Sequence, residues 1–187
     1  TNAPPSAIAR QWALGTKVNE LIGNADGTLV AAALGDGRVA VWAAEDEAEA
    51  PKHHVLHDGV SLCLAACGEG FVSGGDDGNV VVFDQTAAQT CATQPGRWID
   101  QVAATPDGSL IAYAYGKNLQ LIARDGAPQG IAKPHASSIG GLAFSPNGKR
   151  VAASHNNGVS LWWTAATAQT PVALTWTVCG SKYQERF

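Results

Sequence analysis

The 187-residue sequence predicts an all-β chain of small, stacked antiparallel sheets, and three observations predict it. The first is an internal period of about forty residues, the mark of a repeat architecture. Segments 36–44 (DGRVAVWAA), 77–85 (DGNVVVFDQ), 116–124 (GKNLQLIAR) and 156–164 (NNGVSLWWT) align without gaps. Their large residues, Trp42, Phe83, Ile122 and Trp162, are spaced by 41, 39 and 40 residues. The second is turn chemistry in step with that period. Asp26-Gly27, Asp107-Gly108 and Asn147-Gly148 precede three of the segments, with Gly68-Glu69-Gly70 as a shortened counterpart. Asp-Gly and Asn-Gly supply the positive φ that tight hairpins require. The third is a set of short runs rich in Val, Ala and Leu, with no convincing amphipathic helical pattern between them.

Each repeat reads as strand, turn, strand, tight turn, strand, loop, strand. The inner strands fall at 18–22, 60–64, 99–103 and 139–144. Second strands such as 28–34 (TLVAAAL) and 110–114 (LIAYA) are rich in Val, Ala and Leu and apolar on both faces. Such strands suit a sheet covered on both faces, as when small sheets stack on one another. Third strands end on the large residues named above. More polar outer strands are expected at 51–57, 89–94, 127–133 and 171–177, flanked by Pro51, Pro95, Pro128 and Pro171, because an edge strand tolerates Pro. The repeats divide as 18–57, 58–96, 97–135 and 136–177. A lead segment, 1–17, carries an extra outer strand at 7–14 without a blade of its own, and 178–187 is an off-pattern tail.

These residues resemble the WD-repeat β-propeller family over about 18–165. IGGLAFSPNG (139–148) and IDQVAATPDG (99–108) are similar to its inner strand and following turn, and SGGDDGNVVVFD (73–84) to its second and third strands. The resemblance implies an all-β propeller of about four four-stranded antiparallel blades. It also implies a structural hydrogen-bond network within blades, carried here by His57, Ser73 and Asp77. The blade-opening His is matched again at His135, and the tight-turn Asp at Asp36, with Asn156 in its place in the fourth repeat. The family's terminal Trp-Asp becomes Trp42-Ala43, Phe83-Asp84, Ile122-Ala123 and Trp162-Trp163, so the sequence reads as a divergent, bacterial-type member. Trp42, Phe83, Ile122 and Trp162 are expected in the core between blades. Four repeats and loose ends predict a truncated, incomplete ring, or one completed by self-association through exposed end blades.

Few groups invite chemistry. His57, Ser73 and Asp77 have triad-like types, but a hydrolytic serine needs an exposed elbow and an oxyanion hole, and Ser73 falls within a strand. His53, His54 and His57 beside Cys63 and Cys67 suggest a metal only until spacing is considered. Residues four apart on a strand stand ~13 Å apart, at about 3.3 Å per residue, and zinc ligands lie about 2.0–2.3 Å from the ion. No metal and no cofactor is expected. Asn19, Glu20, Asp100 and Gln101 on the inner strands are the polar groups that a ligand or catalytic site in a central channel would use, the alternative to a scaffold. Trp98, at the mouth of an inner strand, and Trp163, where the family places Asp, are candidate interface anchors.

Charge excludes further classes. The 12 Lys and Arg are dispersed and the net charge is −4, so there is no basic stripe for nucleic acid. Glu45, Asp46, Glu47 and Glu49 form a solvated loop. No apolar run reaches the roughly 18 residues of a membrane span, and Arg10 interrupts the N-terminal apolar run where a signal peptide needs a core. Four cysteines without a CxxC pair read as buried thiols of a reducing, cytoplasmic compartment. The expected function is a non-enzymatic scaffold that binds a protein or peptide partner through blade loops. A fragment with no independent function is the remaining reading.

Overall fold

The computed structural model of the chain describes residues 11–45, 50–131 and 134–165. They form fifteen strands and no helix. The first sheet holds β1 (Val18–Gly23), β2 (Leu29–Leu34), β3 (Arg38–Ala43) and β4 (Lys52–Val55). The second holds β5 (Ser61–Cys67), β6 (Gly70–Gly75), β7 (Asn79–Phe83) and β8 (Ala88–Thr93). The third holds β9 (Gln101–Ala104), β10 (Leu110–Tyr115), β11 (Asn118–Ala123) and β12 (Pro128–Ile131). The fourth has three described strands, β13 (Ile139–Phe144), β14 (Arg150–His155) and β15 (Gly158–Trp163). The outer strand expected at 171–177 lies outside the described residues, as do 7–10 of the lead strand; residues 11–14 run without strand pairing. Every sheet is an antiparallel meander in sequence order, and the inner strands pack in succession, β1 to β5 to β9 to β13. The sheets are four blades of an arc, and the ring is not closed.

Strand alternation builds the seams. On β7, Val81 and Phe83 point to blade 1 and meet Ala31, Ala33, Val39, Val41, Leu64 and Phe71. Their neighbours Val80 and Val82 point to blade 3, with Val72, Ile99, Val102, Ile111, Tyr113 and Ile122. Leu119 and Leu121 of β11 carry the pattern into blade 4, against Ile139, Val151 and Ala153. With side chains on opposite faces in period two, a strand between two blades has to be apolar throughout. That is why β2 and β7 are apolar over most of both faces, whereas β14 keeps exposed Arg150 and Ser154 on one side. The outer strands lie at the margin of these seams: on β8, Ala88, Gln89 and Thr90 are exposed, while Cys91 and Ala92 pack against the cluster between blades 2 and 3.

Most strand limits shift by a residue or two from the sequence reading, and two of the shifts have a visible cause. β5 extends to Cys67, because Ala65, Ala66 and Cys67 continue the ladder with Val72, Phe71 and Gly70. β9 starts at Gln101 rather than at 99, since the Ile99 amide donates to the Gly75 carbonyl of blade 2 (3.0 Å) before the ladder begins.

The end blades are not alike. Trp42 lies on the face of blade 1 turned away from blade 2, with Ala32, Leu34 and Ala40, all three fully buried. Leu14 packs against this cluster, and Trp12 meets Trp42 with ring centroids 5.5 Å apart. The lead segment therefore covers the face that an apolar end blade was expected to expose.

Candidate functional site

The densest polar constellation sits inside blade 2. His57, in the loop before β5, is buried; its Nδ1 lies 3.0 Å from Asp77 Oδ1 and its Nε2 2.9 Å from Ser73 Oγ. Ser73 Oγ is also 2.8 Å from Ser61 Oγ. A carboxylate only accepts, so Nδ1 carries the proton toward Asp77 and Nε2 accepts from Ser73, which accepts in turn from Ser61. Asp77 is held below the usual carboxylate range. Burial pushes it up, but the Asn79 backbone and side-chain donors, then His57, outweigh that. Ser73 is fully buried between blades, and no hydrolytic nucleophile can work where substrate cannot reach. The constellation ties the β6–β7 turn to the β5 loop.

Blade 4 repeats the theme with different members. His135 is buried, and Trp162 Nε1–H donates to its Nε2 at 3.4 Å. Ala153 faces the seam on β14, and Asn156, in the tight turn, is exposed with its amide donating to Ser137 Oγ (2.9 Å). His135 Nδ1 is buried without a partner. Blade 2 thus has Ser, His and Asp but Phe83 in place of a Trp, whereas blade 4 has His and Trp alone. Asp36 belongs to neither network: it is exposed and pairs with Arg38 Nη2 at 2.7 Å, a contact that lowers its carboxyl.

The four matched large residues share one orientation. Phe83, Ile122 and Trp162 face the preceding blade. Trp42 faces the same way and meets Leu14 and Trp12 of the lead segment. Trp98 stands 64% exposed in the β8–β9 loop. Trp163 is 44% exposed, with the Arg150 guanidinium 4.2 Å from its ring centroid.

Inner-strand polar groups are spent on the architecture. Glu20 Oε2 accepts the Leu64 N–H at 2.7 Å, Asn19 donates to the Ser61 carbonyl at 3.4 Å, and Asp100 accepts the Gly116 N–H at 3.2 Å. The Asn19 and Glu20 contacts link blades 1 and 2, whose inner strands share no ladder, while the Asp100 contact stays within blade 3. Sequence reasoning missed Ser61, Asn79 and Asn24. Buried Asn24 donates to the Glu69 carbonyl (2.8 Å) of the next blade. Ser61 and Asn24 do not recur at the forty-residue period, so the repeat gave no signal for them; Asn79 recurs once, as Asn118. A cavity of about 530 Å³ opens beside that contact, lined by Asp26, Glu69, Asp107 and Arg124. Among the described residues no cluster of three or more His, Cys, Asp or Glu has metal-holding geometry.

The family model for the WD domain, G-beta repeat, matches residues 51–84 and 126–162, the stretches that hold both histidine networks. Both stretches are similar to the WD repeat. The chain matches no curated protein. Among solved structures it is similar to a chain of the "Crystal Structure of Mitotic Checkpoint Complex", with a TM-score of 0.69 and 19% identity. The match covers 84% of this chain and 53% of that one, so this chain spans about half of its structural relative. Solved chains that match number 1219, and a fold so widely shared carries no particular activity.

Proposed function

We propose that this chain is a non-enzymatic WD-repeat scaffold whose blade loops bind a protein or peptide. The observation that carries the reading is Trp98. It is 64% exposed on a loop held by rigid blades, while His57 and Asp77 of blade 2 are engaged in internal bonds. An aromatic anchor on a preorganised loop is how interfaces concentrate binding energy. The partner is a protein surface or peptide segment offering an apolar pocket for the indole. Affinity capture with wild type and the variants Trp98→Ala and Trp163→Ala tests it. A partner retained by Trp163→Ala and lost by Trp98→Ala supports the reading; equal capture by all three overturns it.

Self-association is a second reading, and one observation now favours a single end for it. Blade 1 has its free face covered by Leu14 and Trp12, so a second copy would dock on blade 4, where Trp163 is exposed. Sedimentation that finds only monomer at micromolar concentration overturns it. A cytoplasmic setting accords with the free thiols of Cys63, Cys67 and Cys91. Among the described residues no helix is long and apolar enough to cross a membrane.

A further inference from the structure

We propose that His135 is an acid-sensitive latch on the seam between blades 3 and 4, closed only while its ring is neutral. The loop carrying it joins the two blades. Its backbone N–H donates to the Lys117 carbonyl in the β10–β11 turn of blade 3 (2.8 Å), and its ring meets Trp162 and His155 of blade 4. Because Trp162 Nε1–H donates into Nε2, that nitrogen is bare and the single proton sits on Nδ1. A second proton on Nε2 would face the indole N–H, donor against donor, and break the bond. It would also leave a buried cation whose Nδ1 has no hydrogen-bond partner.

The groups facing the ring offer little relief. From the β10–β11 turn comes Lys117, a cationic residue whose carbonyl accepts the His135 backbone N–H and only partly favours the charged ring. From β14 comes His155, its ring centroid 5.3 Å away; its Nδ1 accepts the Asn157 N–H, and its Nε2 pairs with Ser160 Oγ. From β15 comes Trp162, which does not titrate. Among the described residues no carboxylate bonds to either ring. His57 in blade 2 shows the contrast, since Asp77 accepts from its Nδ1. Burial holds His135 below the ordinary histidine value; the Lys117 carbonyl opposes this in part, and His155 adds to the lowering. The sign follows from linkage: stability from the neutral ring is complete above about 6.5, the unfolded value, and is lost as the pH falls through the lower folded value.

The test uses the full chain, labelled with ¹⁵N at histidine, together with backbone hydrogen exchange. At about pH 7.5 the His135 ring is expected in the Nδ1–H form. Between about pH 7.5 and 5, protection of β13–β15 amides, corrected for intrinsic exchange, should fall about threefold or more while β5–β8 keep theirs. His135→Gln, whose amide oxygen can accept from Trp162 but which does not titrate, should abolish that difference. An Nε2–H tautomer overturns the proposal, as does unchanged seam protection across the His135 titration or an acid response that survives in His135→Gln. If that variant does not fold, the wild-type titration alone decides.

Discussion

At the scale of single residues, the blade 2 network makes Ser73 the residue on which most depends. Its hydroxyl serves His57 and Ser61 at once. Ser73→Ala leaves a buried ring nitrogen and a buried hydroxyl unpaired and should cost about 1–3 kcal/mol in urea unfolding. The opposite change is equally informative. Phe83→Trp restores the large residue that blade 4 carries, but Phe83 is 2% exposed and stacked on Phe71, and Ser73 already occupies His57 Nε2. The larger ring overfills the seam and buries an indole N–H without an acceptor, so a loss of about 1–3 kcal/mol is expected. A stabilised Phe83→Trp protein would overturn this account. The sequence showed His57, Ser73 and Asp77 at fixed offsets. It could not show Ser61, because a buried serine partnering another serine leaves no periodic trace.

At the scale of elements, the hairpins were the most legible feature, since Asp-Gly pairs specify backbone conformation and not only polarity. Gly37 and Gly78 show what they provide beyond a turn. Both have positive φ, at 80° and 83°, and a Cβ on either would collide with carbonyl oxygens of the next loop: those of His57 and Gly59 for Gly37, and that of Gln94 for Gly78. Gly27 has a similar φ of 75° but open space around it. Gly27→Ala should therefore cost only the left-handed backbone penalty of about 1–2 kcal/mol, and Gly78→Ala distinctly more. Equal midpoints for the two variants would remove the packing part of this explanation. Strand ends were less legible. The start of β9 depends on where the Ile99 amide goes, and its acceptor, Gly75, belongs to another repeat. Periodicity within a repeat does not register a bond between repeats.

At the scale of the molecule, the forty-residue period specified the stacking of blades but not what happens where stacking stops. The position that meets the preceding blade is filled by Phe83, Ile122 and Trp162 in three blades. In blade 1 the same position is Trp42, and the lead segment stands where a blade would. This gives the two kinds of tryptophan opposite expected behaviour. Trp12→Ala strips the cover from Trp42 and loosens the contact over Ala32, Leu34 and Ala40. Because Trp12 is only partly buried, the cost should fall below the 3–5 kcal/mol of a fully buried indole, at about 1–3 kcal/mol. The uncovered face should also bind a hydrophobic dye. Trp98→Ala removes a side chain that is 64% exposed, and its stability should stay within about 0.5 kcal/mol of wild type even as partner capture is lost. Urea midpoints and dye fluorescence of the two variants, measured together, separate an indole that closes the fold from one that is free to bind. If Trp12→Ala unfolds at the wild-type midpoint without taking up dye, the lead segment does not cap the arc, and blade 1 must be stable with its outer face open.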